Sequence, residues 1–350
     1  MQGRTVDVCY SCLYCRDQMI TLYWKTGIYA AFAGFLLDCI FGDPHELPHP
    51  VRFMGKLISL LERILLHKKN RSFVKRLLGA LLVIIMLAVT GGVSFGILAL
   101  VYKLEKYYLG SQVITFAFMS VMSAQCLAAR DLNDSAMAVC RPLLKGDIKK
   151  AREALSMIVG RDTEFLDENA IVRAAVETVA ENTNDGVLAP AFYLLIAGPI
   201  GGMVYKVINT MVSMLGYKNE KYGYFGSAAA RLDDIAGFIP ARLSALFMVM
   251  ASAILHYDSA NAWRIFRRDR YKHESPNSAQ CESVCAGALE IMLGGDSYYN
   301  GKLVKKPCLG DAMREAAPGD IIRACRLMYM TVVLFFLTTA AFLPFVLHIF

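Results

Sequence analysis

The sequence predicts an all-α, polytopic integral membrane protein that contains embedded short or broken helices and cytoplasmic helical segments. Of its 350 residues, 56% are hydrophobic and only 19% are charged, whereas soluble domains carry about 25% charged residues. The charges are also segregated, because some stretches have none while others are dense in Arg, Lys, Asp and Glu. A bilayer enforces this segregation, since a charge at its centre costs at least ~2.5–3.5 kcal/mol.

Five apolar stretches predict membrane spans near residues 77–101, 111–129, 187–205, 241–257 and 327–350. The first could form a helix of about 37 Å, which is long enough to cross with some tilt. The third contains Pro190 and the run Gly198-Pro199-Ile200-Gly201-Gly202, which predict a broken helix. Residues 27–37 are apolar but end at Asp38, so they predict an embedded half-helix or an interfacial helix rather than a span.

The basic residues predict the orientation of the chain. A cluster at 63–76 and two polar blocks, 130–186 and 258–326, are rich in Lys and Arg, so all three should be cytoplasmic. The region between the two blocks must then cross an even number of times. Either two spans place 217–238 outside, or both apolar stretches dip into the membrane without crossing it.

The net charge of +7 is explained by these loops, and no stretch interleaves basic and aromatic residues as a nucleic-acid module does. We therefore expect no nucleic-acid partner.

Residues 1–18 are expected to be unstructured or an extension outside the true start, because Met19 begins a more typical membrane-protein sequence. Residues 19–350 are expected to form a single membrane-embedded domain.

One polar constellation precedes the predicted broken helix. Arg173, Glu177 and Glu181 recur every four residues and therefore share a helical face. Arg161 lies before them, and Asn182 and Asp185 follow. The pattern fits either a solvated stripe of ion pairs or a functional site at a membrane entry, where polar groups are costly.

Two further constellations suggest anion or metal chemistry. Arg231 precedes the pair Asp233-Asp234, and paired acids beside an arginine suit a magnesium ion that bridges phosphate oxygens; an ordinary acidic first turn of a helix is the alternative. Asn277 could cap a helix that starts at Ser278. Such a helix end could bind an anion or serve for capping alone.

Motifs spread over residues 27–335 resemble the CbiB/CobD family of cobalamin-biosynthesis membrane proteins. The motifs that carry the resemblance are Gly42-Asp43-Pro44, Leu47-Pro48-His49-Pro50, Gly160-Arg161-Asp162-Thr163, Ala180-Glu181-Asn182-Thr183, Asn209-Thr210, Ala230-Arg231-Leu232-Asp233-Asp234, Pro240-Ala241-Arg242 and Ser275-Pro276-Asn277. One departure is Val212, which stands where the family usually has an acidic residue.

The resemblance implies an adenosylcobinamide-phosphate synthase, which joins a carboxylate of adenosylcobyric acid to the amine of aminopropanol phosphate or a related amino alcohol phosphate. It implies ATP and Mg²⁺ as cofactors, although the sequence shows no nucleotide-binding motif. The implied partners are the corrinoid, the amino alcohol phosphate, the lipid bilayer and other membrane enzymes of cobalamin assembly. The implied location is the cell membrane, with the active site facing the cytoplasm.

With this reaction, the residue types can be assigned roles. Glu177, Glu181 and Asp185 are the candidate catalytic residues, because the attacking amine must lose a proton to a base. Asp233 and Asp234 are the candidate metal ligands. The candidate substrate-binding residues are Asp43, His49, Arg161, Arg173, Asn182, Lys206, Asn209, Arg231, Arg242 and Asn277.

Three other functions compete with this interpretation. A membrane transporter for corrinoids is the main alternative, because broken helices and intramembrane polar groups are typical of transporters. A membrane prenyltransferase is suggested by Asp131, Asp134 and Asp233-Asp234, but neither motif has its full set of acids. The third is a structural membrane subunit without activity.

Overall fold

The computed structural model describes residues 3–42, 49–67, 71–217, 219–299 and 301–349, with side chains from Thr21 to Phe345. The described chain is predominantly helical with only short strands, which confirms the predicted all-α class. Its α-helices are α1 (Gly3–Phe41), α2 (Pro50–Leu65), α3 (Ser72–Tyr108), α4 (Val113–Ala124), α5 (Ala129–Leu143), α6 (Ile148–Ser156), α7 (Glu168–Asn182), α8 (Ala189–Leu215), α9 (Ser227–Ile254), α10 (Ser259–Asp269), α11 (Ser278–Leu289) and α12 (Gly319–Ile349). A π-helical turn, Thr183–Leu188, joins α7 to α8. Helix α1 begins at Gly3 and runs without a break past residue 18. The division of the chain into an extension, 1–18, and a membrane domain, 19–350, stays a prediction.

Six described helical stretches are long and apolar enough to cross a membrane, which confirms a multi-pass protein. They are Thr21–Phe41, Ser72–Tyr108, Val113–Leu143, Glu168–Leu215, Ser227–Ile254 and Gly319–Phe345. Each of the five stretches predicted from the sequence overlaps one of them.

The sixth stretch corrects the expectation of a half-helix at 27–37. The helix continues through Asp38, whose side chain is buried at 1% exposure. Its Oδ2 accepts a hydrogen bond from the backbone N–H of Ala129, at 2.9 Å, so the first turn of α5 stabilises the buried carboxylate. The sequence shows a charge that ends an apolar run, but it does not show this partner 91 residues away.

The predicted broken helix is a helical hairpin, residues 189–215. Ala197 and Gly198 have non-helical backbone angles, and Gly198 has a φ of 62°. The rings of Tyr193 and Tyr205 stack with centroids 5.0 Å apart, although twelve residues of straight helix would separate them by about 18 Å. The two halves of α8 therefore fold back against each other. Tyr23 of α1 holds the turn, because its hydroxyl donates to the carbonyl of Ala197, at 3.1 Å.

The loop that follows the hairpin lies against α2 and the start of α3. Lys221 Nζ is 2.7 Å from the Glu62 carboxylate, and the Arg76 guanidinium lies 5.2 Å from the centre of the Tyr224 ring. Residues 219–226 are thus on the side of the molecule where α2 ends and α3 begins, which carries the basic residues Arg63, Lys75 and Arg76. This placement argues against the alternative that puts 217–238 outside, and it favours a hairpin at 189–215 that enters the membrane and returns to the same side.

Two short antiparallel strand pairs form a nested hairpin between α11 and α12. β1 (Leu293–Gly294) pairs with β4 (Cys308–Leu309), and β2 (Ser297–Tyr299) pairs with β3 (Lys302–Val304). We call residues 293–309 the strand loop. Its C-terminal end is bound to α10 by Asp269, which accepts a hydrogen bond from Gly310 N–H at 2.8 Å. Burial alone would raise the pKa of Asp269, but hydrogen bonds from Arg268, Lys272 and Gly310 lower it to about 2.

We predict that Gly198→Ala destabilises the protein. A Cβ at this position would lie 2.7 Å from the Tyr23 hydroxyl oxygen, and the positive φ is strained for any L side chain. The expected cost is about 1–3 kcal/mol, measured as a lower thermal unfolding temperature in detergent. Gly96→Ala is the matched control, because a Cβ there meets nothing within 4 Å. An unchanged unfolding temperature for Gly198→Ala would contradict the tight turn.

Candidate active site

Glu177 is the central buried carboxylate of the site. It lies on α7 at 7% exposure, and Arg161 Nη2 donates to its Oε2. The backbone N–H of Gly294, in the strand loop, donates to its Oε1. Arg161 also donates to Ser297 Oγ, at 3.3 Å. The solvated-stripe interpretation is therefore wrong for Glu177, because this face of α7 is covered by the strand loop.

Three more carboxylates follow: Glu181 one turn further along α7, Asp185 in the π-helical turn, and Asp233 on α9. Asp185, in the π-helical turn, interacts electrostatically with Asp233 of α9 and with Glu181 of α7. Asn184 positions Asp185, because its Nδ2 donates to Asp185 Oδ1 at 2.6 Å. The Oδ1 of Asn184 accepts from Ser244 of α9, at 2.9 Å. π-Helical turns are frequent at functional sites, and this one brings α7 and α9 together at their polar residues.

Glu282 of α11 also belongs to this group, although it is not among the site residues predicted from the sequence. It is 7% exposed and lies near Glu181, Glu177, Lys306 and Arg161. Burial raises its pKa well above the usual range, Glu181 and Glu177 raise it further, and Lys306 and Arg161 lower it. A sequence signal existed: Glu282 is an acid within the otherwise uncharged run 275–289, part of which forms a helix that is buried over most of its length.

We call Glu177, Glu181, Asp185, Asp233, Glu282 and Arg161 the carboxylate cluster. Tyr205, from the returning half of the helical hairpin, is 1% exposed and interacts electrostatically with Asp185 and Asp233. Stacked on Tyr193, it closes the cluster on the side of the hairpin. Tyr205 could not be predicted from the sequence, because its position next to Asp233 depends on the fold-back at Gly198.

A polar bridge between α9 and α11 adjoins the cluster. Asp234 Oδ1 accepts from Ser275 Oγ, and Asn277 Nδ2 donates to the Asp234 carbonyl, each at 2.9 Å. Arg242 Nη1 donates to Asn277 Oδ1, at 3.4 Å. Asn277 does occupy the predicted N-cap position of α11, but its side chain makes no capping hydrogen bond. It joins two helices instead, where Gly237 leaves room for it.

Several predicted substrate-binding residues are not joined to the cluster. Arg231 is exposed, while Lys206 and Asn209 are half-buried on α8; none of the three makes a side-chain hydrogen bond or ion pair with a described residue. Asn182 Nδ2 donates to the Thr178 carbonyl within its own helix, at 2.9 Å. Among the described residues, no hydrogen bond or ion pair therefore joins these four side chains to one another or to the cluster.

The remaining three predicted residues have separate positions. Arg173 is half-buried on α7, and its Nε is buried with no hydrogen-bond partner among the described residues. His49 lies at the start of α2, where its Nδ1 accepts from the Val51 N–H at 3.3 Å. Asp43 lies outside the described residues.

Few side chains in the site could ligate a metal ion. No group of three or more His, Cys, Asp or Glu side chains within the described ranges is arranged to hold a metal ion. However, Asp233 Oδ1 is buried without a hydrogen-bond partner among those same residues, and Asp185 is near it. Mg²⁺ commonly uses one or two carboxylates together with substrate phosphates, so Asp233 with Asp185 fits that ion, while Asp234 is engaged by Ser275.

The fold and the cluster together define a class: a polytopic α-helical membrane protein with a buried acid–guanidinium site beneath a strand loop. A family model described as "CobD/Cbib protein" matches residues 31–328. The chain therefore belongs to the CobD/CbiB family, which confirms the resemblance found in its motifs.

Individual relatives agree with the family match. The chain is 45% identical over 296 residues to "Cobalamin biosynthesis protein CobD" of Klebsiella pneumoniae, covering 85% of this chain and 91% of the relative. It is 44% identical over 299 residues to the protein of the same name from Clostridium perfringens, covering 85% and 92%. It is 43% identical over 296 residues to "Cobalamin biosynthesis protein CbiB" of Salmonella typhimurium, covering 85% and 91%. No solved structure gives a significant match.

We predict that Glu282→Gln changes how stability depends on pH. Because burial raises the pKa of Glu282 in the folded protein, the folded state keeps a proton that the unfolded state loses above pH ~4.3. This contribution to stability is present at lower pH and falls by up to about 1.4 kcal/mol per pH unit as the pH rises toward the folded pKa.

The measurement is thermal unfolding in detergent between pH 5 and pH 8, expressed as the difference between Glu282→Gln and wild type. The variant should gain stability relative to wild type as the pH rises. The exposed Glu164→Gln is the control and should track wild type throughout. Parallel curves for Glu282→Gln and wild type would show that Glu282 is ionised in the folded protein.

Proposed function

We propose that this protein acts in cobalamin biosynthesis as an adenosylcobinamide-phosphate synthase. It would join a carboxylate of adenosylcobyric acid to the amine of aminopropanol phosphate, or of a related amino alcohol phosphate, with consumption of ATP. The observation that carries this proposal is the carboxylate cluster: charged groups, expensive beside lipid, converge from α7, α9 and α11 in a family whose curated relatives are named for cobalamin biosynthesis.

The corrinoid carboxylate is a poor electrophile, so it must be activated before the amine can attack it. In the proposed sequence, the terminal phosphoryl group of ATP is transferred to the corrinoid carboxylate, which yields an acyl phosphate and ADP. The amine then attacks the acyl carbon, the bond to the phosphate oxygen breaks, and phosphate leaves. The amine nitrogen gives up a proton, so a base must lie near it.

Glu181 is the best candidate for that base. It is half-buried and makes no hydrogen bond or ion pair with the residues that the structure describes, so it is available to a substrate. Glu177 is already bound by Arg161 and by Gly294 N–H. We therefore assign Glu177 and Arg161 to positioning of the strand loop over the site.

The phosphate groups need cations. Mg²⁺ held by Asp233 and Asp185 would neutralise charge on transferring phosphate oxygens. Arg242 is half-buried beside Asn277, and its guanidinium suits the phosphate of the amino alcohol. Lys306 of the strand loop lies near Glu282 and is a second cation close to the cluster.

We also propose that the site faces the cytoplasm. The loop after the helical hairpin shares a face with the basic cluster 63–76, and segments rich in Lys and Arg are retained on the cytoplasmic side. The strand loop lies within the basic block 258–326. Small soluble substrates and ATP would then reach the cluster without crossing the bilayer.

The direct test mixes purified protein, adenosylcobyric acid, aminopropanol phosphate, Mg²⁺ and ATP, and detects product by mass spectrometry. The expected result is a corrinoid whose mass increases by that of the amino alcohol phosphate minus water. Omission of ATP should abolish the product. Full activity without ATP would contradict acyl-phosphate activation, and absence of product under all conditions would contradict the ligase assignment.

One observation favours a second candidate, a corrinoid transporter, because the helical hairpin with its broken turn is typical of substrate pathways in transporters. Uptake of a corrinoid into liposomes, without any covalent product, would favour transport. Formation of product without uptake would favour the ligase.

We predict that Glu181→Gln lowers kcat by about 10²–10⁴-fold, as expected for loss of a general base, with a smaller effect on KM. Glu168→Gln is the matched control, since Glu168 lies in the first turn of the same helix and is exposed. Both variants should unfold at the wild-type temperature. Wild-type turnover by Glu181→Gln would remove this residue from the role of base.

A further inference from the structure

Helix α2 presents three different faces. Met54 and Ile58 are buried in the core at 8% and 0% exposure. Phe53, Leu60 and Ile64 lie on a second face and are 60%, 50% and 56% exposed. At 100° per residue, Lys56, Ser59 and Arg63 fall on a third face, beside the exposed apolar one. An exposed apolar face next to a basic one is typical of a helix that lies in the membrane interface.

Contacts with its neighbours place α2 at the depth of the lipid headgroups. The uncharged part of α3 begins at Leu77, directly after Arg76, so the hydrocarbon boundary lies near this point. Glu62 of α2 and Arg76 of α3 both contact residues 221–224 of one loop. The C-terminal half of α2 therefore lies at the level where α3 enters the membrane.

A cavity opens on the basic face of α2. It has a volume of about 390 Å³ and is lined by Gly55, Lys56, Ser59, Leu60, Arg63 and Met214. Lys56 and Arg63 form no ion pair with any carboxylate among the described residues, and the one acid of α2, Glu62, is paired with Lys221. None of the lining residues belongs to the carboxylate cluster.

We propose that this cavity binds the phosphate headgroup of an anionic phospholipid. Lys56 and Arg63 supply two cations, the Ser59 hydroxyl supplies a donor, and the acyl chains lie along Phe53, Leu60 and Ile64. An anionic lipid is favoured over a zwitterionic one because the face carries two positive charges and no negative one. The lipid would hold α2, and through Met214 the end of the helical hairpin, at a fixed depth.

The test compares the binding of phosphatidylglycerol and phosphatidylcholine to purified full-length protein by native mass spectrometry. The double variant Lys56→Gln with Arg63→Gln should bind phosphatidylglycerol about 30-fold more weakly, since each cation near an anionic lipid surface is worth a factor of five or more. Lys103→Gln with Lys106→Gln, at the exposed far end of α3, is the matched control and should bind as wild type does.

Other outcomes overturn the proposal. Equal binding of phosphatidylcholine by the wild-type protein would exclude an anionic site. Displacement of the lipid by millimolar inorganic phosphate would identify a site for soluble phosphate. A second variant, Ser59→Trp, keeps both charges but fills the cavity, and it should also lose the lipid; if it retains wild-type binding, the lipid is elsewhere. These measurements do not use ligase activity, so they stand apart from the proposed function.

Discussion

The pairing of Glu177 with Arg161 and with the Gly294 N–H group makes the rest of the site possible. A carboxylate that is 7% exposed is tolerated only if its charge is neutralised and its oxygens accept hydrogen bonds. Arg161 comes from the segment before α7, and Gly294 comes from the strand loop after α11. One buried charge therefore links parts of the chain that are more than 130 residues apart.

The helical hairpin provides the other boundary. Because the turn at Gly198 reverses α8, Tyr205 returns to the level of Asp185 and Asp233 instead of continuing across the membrane. A straight helix would carry Tyr205 roughly 30 Å from Asp185, and the acids would face lipid or solvent. Asp269 holds the C-terminal end of the strand loop against α10. It accepts a hydrogen bond from the Gly310 N–H and forms ion pairs with Arg268 and Lys272.

Residue spacing along the chain predicted most of the helices and part of the site. The features that it missed depend on contacts between residues far apart in the sequence. The five apolar stretches, the break near Gly198, the N-cap position of Asn277 and the shared face of Glu177 and Glu181 could all be predicted from spacing. The span at Thr21–Phe41 was missed because the partner of Asp38 belongs to another helix. Glu282 could have been predicted as the one acid in an uncharged run, but its proximity to Glu177 and Glu181 depends on the packing of α11 against α7. Arg231 lies two residues before Asp233 in a motif, yet it is exposed and makes no hydrogen bond or ion pair with a described residue.

The shared face of the two ends of the hairpin has a consequence for biogenesis. The connecting residues 219–226 include Glu220 and Lys221, and a hairpin that crossed the bilayer would require the insertion machinery to export these charges. A hairpin that enters and leaves on one side needs no such export. The helices α1, α3 and α4 precede the hairpin in the chain and pack against it, so they can line the space that residues 189–215 enter, where the Tyr23 hydroxyl donates to the turn.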